Sequence, residues 1–202
     1  MVYDGTRTQT VSLPVEAVSL LRGGATVHLG TPDRLTFGKV PEYDPENSSM
    51  EFSAAADEQY FHLCFEVKDS RRGRHLPSTP WEMDGLELFF DRAPLSDMER
   101  REYTRNVFRL FLCPAAEGHP AFLKGQGKVD IAALRWQVRD TAEGYNATLA
   151  IPWKELRLAP GSPVRFDVAL DDNDGAGRLT QLTWSGTRKN HLYRNGFGIW
   201  CR

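Results

Sequence analysis

Short stretches in which apolar and polar residues alternate, each closed by turn residues, dominate this chain. Tyr60–Val67 sets Phe61, Leu63, Phe65 and Val67 on one side and His62, Cys64 and Glu66 on the other. The same period runs through Leu86, Leu88 and Phe90 against Glu87, Phe89 and Asp91, and through Phe108, Leu110 and Leu112 against Arg109, Phe111 and Cys113. It returns in Leu134/Trp136/Val138, Tyr145/Ala147/Leu149/Ile151 and Val164/Phe166/Val168/Leu170. Successive side chains of a strand point to opposite faces, so each stretch predicts a strand with a core face. Glu143-Gly144, Pro160-Gly161-Ser162-Pro163 and Asp172-Asn173-Asp174-Gly175 supply the punctuation, because Gly, Asn and Asp tolerate positive φ and Pro locks φ at a negative, turn-compatible value.

Many short strands with frequent turns predict an all-β, antiparallel two-sheet β-sandwich of jelly-roll or immunoglobulin-like type. Its core is expected to hold Phe61, Leu63, Phe65, Leu86, Leu88, Phe108, Leu110, Phe166 and Val168. Helical pattern is scarce. Ser96–Arg105, with a cap-like Ser96 and Glu99 three residues on, predicts one or two turns, and Trp153–Leu156 a single turn after Pro152. Arg71–Pro80 reads as a loop between two strong strands. Val11–Leu13, Thr26–Leu29 and Leu35–Val40 are candidate strands interrupted by Pro14, Pro32 and Pro41, and Pro41–Ser49 reads as a polar connector.

A length of 202 residues fits one domain spanning residues 1–202. Lys and Arg number 25 against 27 Asp and Glu, and a balance of -2 gives no electrostatic case for nucleic acid or an anionic membrane surface. No apolar run approaches the roughly 20 residues of a spanning helix. Met1–Thr10 lacks an apolar signal-peptide core. Localisation is left open, with an extracellular or periplasmic setting favoured if a signal peptide has been removed. Cys64, Cys113 and Cys201 are odd in number and outside any zinc spacing, so free thiols are expected. The sequons at Asn47 and Asn146 would matter only in a glycosylating pathway.

The motif Val67-Lys68-Asp69, a loop, then Pro80-Trp81-Glu82-Met83-Asp84-Gly85-Leu86-Glu87-Leu88-Phe89-Phe90-Asp91 resembles the pattern of family 9 carbohydrate-binding modules. Phe108-Arg109 resembles that family's F-R strand, and Ala150-Ile151-Pro152-Trp153 its strand and following turn. Phe166-Asp167-Val168, Leu182-Thr183-Trp184-Ser185-Gly186 and Gly196-Phe197-Gly198 complete the order. The resemblance runs from about Met50 to Arg202, leaving residues 1–49 as a poorly matched segment.

The resemblance implies a non-catalytic domain that docks the terminal sugar of a glycan, carried as an accessory module by a glycoside hydrolase or other carbohydrate-processing protein, with calcium fixing some loops. Trp81 occupies a sugar-stacking position, and Glu87 and Arg109 occupy positions that contact hydroxyls. A pyranose offers a flat C–H patch to an aromatic face and vicinal hydroxyls to charged groups. The bland alternatives are a rim Trp and a cross-strand ion pair worth about 0.2–1 kcal/mol. His191 stands where a second stacking aromatic is expected, Phe111 where an Asn is, and Ala169 where a Gln is. Asp69 and Asp84 match positions near a calcium ion, which takes hard oxygen ligands. Asp171–Gly175 fails the EF-hand pattern, with Leu170 where its first ligand would stand, and reads as a hairpin turn. Two other functions are weighed: a structural or interaction sandwich with a degenerate sugar site, and a glycoside hydrolase pairing Glu87 with Asp84 or Asp91.

Overall fold

The computed structural model describes residues 19–175 and 177–202. Its strands are β1 (Leu20–Arg22), β2 (Thr26–Leu29), β3 (Leu35–Phe37), β4 (Ser49–Ala56), β5 (Tyr60–Lys68), β6 (Gly85–Asp91) and β7 (Val107–Cys113). They continue as β8 (Phe122–Gln126), β9 (Arg135–Asp140), β10 (Gly144–Pro152), β11 (Val164–Asp172), β12 (Thr180–Thr183) and β13 (Gly198–Cys201). One sheet has eight strands, with the path β1-β13-β11-β6-β7-β8 and β12 joining β11 to β3; the other has five, in the order β2-β4-β5-β10-β9. The two inner faces enclose one apolar core, and all nine predicted core residues are buried in it. Phe166 of β11 sits at its centre, its ring 4.9 Å from Trp184, 5.6 Å from Phe61, 6.0 Å from Phe90 and 6.4 Å from Phe52. Offset and edge-on aromatic pairs add about 0.5–1.5 kcal/mol each beyond area burial.

The ladders are antiparallel except that β1 runs parallel to β13, with Leu20 opposite Ile199. These strands lie far apart along the chain, so no hairpin fixes their direction. The two sheets differ on their outer faces. β5 and β10 alternate buried and open residues, so the five-stranded sheet presents a solvated face. β6 and β11 are buried at every position, because loops cover the outer face of the eight-stranded sheet. β11 also has two neighbours along one edge: Val164–Phe166 pair with β13 and Ala169–Asp172 with β12. Between those pairings the chain leaves the sheet and crosses its outer face.

Several local expectations change. Ser96–Arg105 forms no helical turn of its own; a 3₁₀ turn spans Leu95–Asp97. The Arg194 side chain takes the carbonyls of Asp97 and Glu102, and its amide that of Arg101, so these oxygens are committed across the fold rather than along a helix. Trp153–Leu156 is the single helical turn α1, closed by Arg157 at φ 55. In β9, Leu134 precedes the strand and is buried, but Trp136 is 37% exposed because β9 forms a sheet edge. Thr26–Leu29 and Leu35–Phe37 are strands, the latter stopped by Gly38 at φ 94, while Val11–Leu13 lies outside the described residues. The 41–49 connector is not simply polar surface. Asn47 is 2% exposed, its amide nitrogen bonded to Asp172 and Asp174, which removes its sequon from the surface. No helix among the described residues is long and apolar enough to cross a membrane.

Leu88→Ala and Phe65→Ala are expected to lower the unfolding free energy by about 2–5 kcal/mol in urea titrations, as large-to-small core changes do. Arg139→Ala, on an exposed edge, should stay within about 0.5 kcal/mol. Equal losses at the buried and exposed positions would contradict this core.

Candidate functional site

The outer face of the eight-stranded sheet carries a cleft of about 310 Å³ whose lining includes Trp81, Glu87, Arg109 and His191. Each comes from a different element. Trp81 rides on a 3₁₀ turn, Pro80–Glu82, anchored by the buried ring of Pro80. Glu87 projects outward from β6 and Arg109 from β7, where the register sets Glu87 opposite Phe111 and Phe89 opposite Arg109. The two side chains therefore meet diagonally, with Arg109 Nη1 3.4 Å from Glu87 Oε2. His191 arrives on the segment between β12 and β13. Asp84 does not enter the cleft, nor does Asp69.

Glu87 is 3% exposed although it points away from the core. Two guanidiniums hold it, Arg109 on one oxygen and Arg178 Nη1 at 3.4 Å on the other. Arg178 also reaches Asp171 Oδ1 at 3.0 Å, and Gln181 donates to the same oxygen at 2.8 Å. Asp171 thus belongs to the strand and the site's base rather than to a hairpin turn. Burial, and then the charge of Glu87, push its carboxyl well above the ordinary value. Arg109 also donates to Gln126 Oε1, at 3.1 Å from Nε and 2.5 Å from Nη2. Its guanidinium lies 4.6 Å from the Phe111 ring centroid, and that ring lies 6.1 Å from Trp81. Phe111 therefore backs the Trp81 platform, and Ala169 leaves the floor open. The amides expected at those two positions come instead from Gln126 and Gln181 on flanking strands, which, with Arg178, sequence reasoning missed; only the register makes them neighbours. Partial desolvation in the cleft lowers the pKa of the otherwise exposed His191 imidazole.

Asp167 holds the segment bearing His191 in place. Its buried carboxylate accepts hydrogen bonds from the Ser185 amide (3.0 Å), the Gly186 amide (2.6 Å) and Asn190 Nδ2 (2.6 Å). The far end is fixed by Asp91, which binds both Arg165 and Arg194 below it. Asp91 is thereby used up in structure.

Asp69 and Asp84 lie at one end of the sandwich. Asp84 accepts from the amides of Gly73 (2.6 Å) and Asn173 (2.5 Å). Burial, then the charge of Asp69, raises its pKa to about 8. Burial raises Asp69 to about 6, against the pull of Arg72, and Asp172, with Asp174 beside it, to about 7. Both Asp69 oxygens are buried without a hydrogen-bond partner, Arg72 Nε facing Oδ2 as an ion pair at 3.5 Å. A buried carboxylate without donors is costly, and a cation is one remedy. Among the described residues no three acidic, imidazole or thiol groups converge as a ligand set. An ion here would therefore need carbonyl oxygens or water besides the carboxylates.

Comparison with known proteins extends this picture. A family model described as "Carbohydrate family 9 binding domain-like" matches residues 30–199, which brings β3 and the 41–49 connector inside a match expected to start near Met50. The chain is 27% identical over 127 residues to Endo-1,4-beta-xylanase A of Thermoanaerobacterium saccharolyticum, covering 63% of itself and 9% of that protein. It is 24% identical over 148 residues to Exoglucanase XynX of Acetivibrio thermocellus, covering 70% and 12%. The chain thus spans about a tenth of the length of these relatives. Among solved structures, a family 9 carbohydrate-binding module of Caldicellulosiruptor kristjanssonii in complex with cellotriose aligns with TM-score 0.66 at 17% identity, over 91% of this chain and 92% of that one. The corresponding glucose complex aligns at 0.65 and 17%, over 90% and 93%. At such identities the likeness is one of fold.

The acidic end predicts a pH dependence in chelator. Asp69, Asp84 and Asp172 have native pKa values raised to about 6, 8 and 7, above an unfolded value near 3.8. Between these limits the native state binds more protons than the unfolded state, so stability is highest at the acid end and falls as pH rises through the native values. Melting temperature in chelator should therefore drop from about pH 5 to about pH 8, and Asp84→Asn should flatten the slope. A melting temperature that climbs over that range would refute the assignment.

Proposed function

Because this chain belongs to the carbohydrate family 9 binding domain-like family, we propose that its cleft docks a terminal saccharide unit and leaves it chemically unchanged. One observation carries the reading: Trp81, Glu87, Arg109 and His191, from four separate elements, line a single cleft. In the proposed pose Trp81 stacks on the C–H face of the ring, Glu87 and Arg109 bond neighbouring hydroxyls, and His191 closes the opposite wall. The Arg109 and Arg178 contacts fix the Glu87 carboxylate in advance, so less order is lost on binding. The relatives are xylanases and an exoglucanase of which the chain spans about a tenth, which supports a role as an accessory module of a carbohydrate-processing protein.

Absence of catalysis is part of the proposal. A glycosidase needs two carboxyls facing each other across the scissile bond, one with a raised pKa. The partners the sequence offers Glu87 are engaged elsewhere: Asp84 with the Gly73 and Asn173 amides, Asp91 with Arg165 and Arg194. Aryl glycosides should show no turnover with the isolated chain, and turnover that vanished in Glu87→Gln would reverse this reading.

Calcium at Asp69 and Asp84 is the second element of the proposal, supported by two buried Asp69 oxygens that accept no hydrogen bond. A bound ion stabilises the native state by mass action. Chelator should lower the melting temperature, and Asp84→Ala should reproduce the loss. An unchanged melting curve in excess chelator would remove calcium from the account.

Affinity is expected near the millimolar end, about -4 kcal/mol, because His191 offers a smaller stacking face at the opposite wall than a Trp would. Trp81→Ala should abolish the calorimetric heat of saccharide binding with the melting temperature kept, and His191→Trp should strengthen binding. If no saccharide gives heat with either the native chain or His191→Trp, the domain is a structural sandwich.

A further inference from the structure

Beyond the residues that would grip a neutral sugar ring, the cleft has a cationic wall. Its charged lining comprises Arg109, Arg178 and Arg188 against Glu82 and Glu87. Arg109 is held between Glu87, Gln126 and the Phe111 ring. Arg178 uses only Nη1 for its carboxylates, and its Nε is buried without a partner. Arg188 is exposed and, among the described residues, forms no ion pair; its guanidinium stacks at 4.6 Å on Phe37. Arg178 stacks on that same ring at 4.9 Å. The Glu82 carboxylate accepts from the Arg178 backbone amide at 3.2 Å and its charge bears on Arg178, so Arg188 is the guanidinium of the wall left without a carboxylate among the described residues.

Among the described residues, Arg178 Nη2 and the Arg188 guanidinium donate no hydrogen bond within the protein. Stacking leaves the edge of a guanidinium free, and that edge matches a carboxylate bidentately. We propose that the Arg178–Phe37–Arg188 wall selects a saccharide bearing a carboxylate, a uronic acid unit, over its neutral counterpart. The inference rests on the saccharide-docking reading of the same cleft and names the ligand class within it. The order of the chain explains why the wall forms: Phe37 ends β3, which pairs with β12, while Arg178 precedes β12 and Arg188 follows it. One short strand thus brings both arginines to one ring.

Titration calorimetry at low ionic strength against glucuronic and galacturonic acid, their methyl esters, and neutral cellobiose tests this. The ester keeps the ring and removes the charge. The free acid is expected to bind about three- to tenfold more tightly than its ester, as a partly exposed charge-assisted pair allows. The ratio should shrink in about 0.5 M salt, where the screening length is only a few ångströms, and fall toward one in Arg188→Gln. Esters that bind as tightly as the acids, or cellobiose binding where neither does, overturn the acid preference and leave saccharide docking standing. A ratio untouched by Arg188→Gln removes the assigned wall. Absence of heat with every compound overturns the docking reading and this inference together.

Discussion

The outer face of β11 imposes the constraint on which the functional half of this protein depends. Arg165, Asp167, Ala169 and Asp171 alternate along it, and the three charged members are at most 2% exposed. A buried charge is tolerable only when paired and hydrogen-bonded. Each of these groups therefore dictates what folds over it. Arg165 requires Asp91 across the ladder and the carbonyls of Met98 and Arg194 above. Asp167 requires the amides of Ser185 and Gly186 and the side chain of Asn190. Asp171 requires Arg178 and Gln181. Satisfying the row closes the loops over the sheet, and the position without polar demand, Ala169, is where the cleft opens.

This arrangement explains why the site is assembled from rigid parts. Glu87 lies opposite Ala169 in the β6–β11 ladder, so the small side chain clears space beside the carboxylate. Arg109 and Arg178 approach Glu87 from two sides, each also committed to a second acceptor. Removing one partner from such a set leaves the others buried and unpaired, which costs more than the lost contact itself. Trp81 has a similar support, since it leans on the buried Phe111 ring, with Met83 and Cys113 in the same apolar patch. At the opposite end of the sandwich Asp69, Asp84 and Asp172 lie close enough to raise one another's pKa values, and the compensation is thinner: two amides for Asp84, Asn47 and Thr180 for Asp172, and for Asp69 only an Arg72 ion pair at 3.5 Å.

The sequence by itself determined the sandwich and its inner face. A period of two follows directly from strand geometry and needs no knowledge of neighbours, so Phe61, Leu88, Phe108 and Phe166 declared their side at once. It also marked Trp81, Glu87, Arg109 and His191 as candidates for one site, through the spacing of a motif. Alternation failed where burial is not a property of the strand alone. Trp136 keeps the core phase yet sits at an edge, and Asn47 is polar yet buried against Asp172. Tertiary structure alone decided what covers the outer face of β6 and β11. Phe37, Gln126 and the Arg178–Gln181 stretch lie far from one another along the chain, and only strand register makes them neighbours. A side chain's pattern fixes which way it points, but its electrostatic partners are set by chain segments that local sequence does not encode.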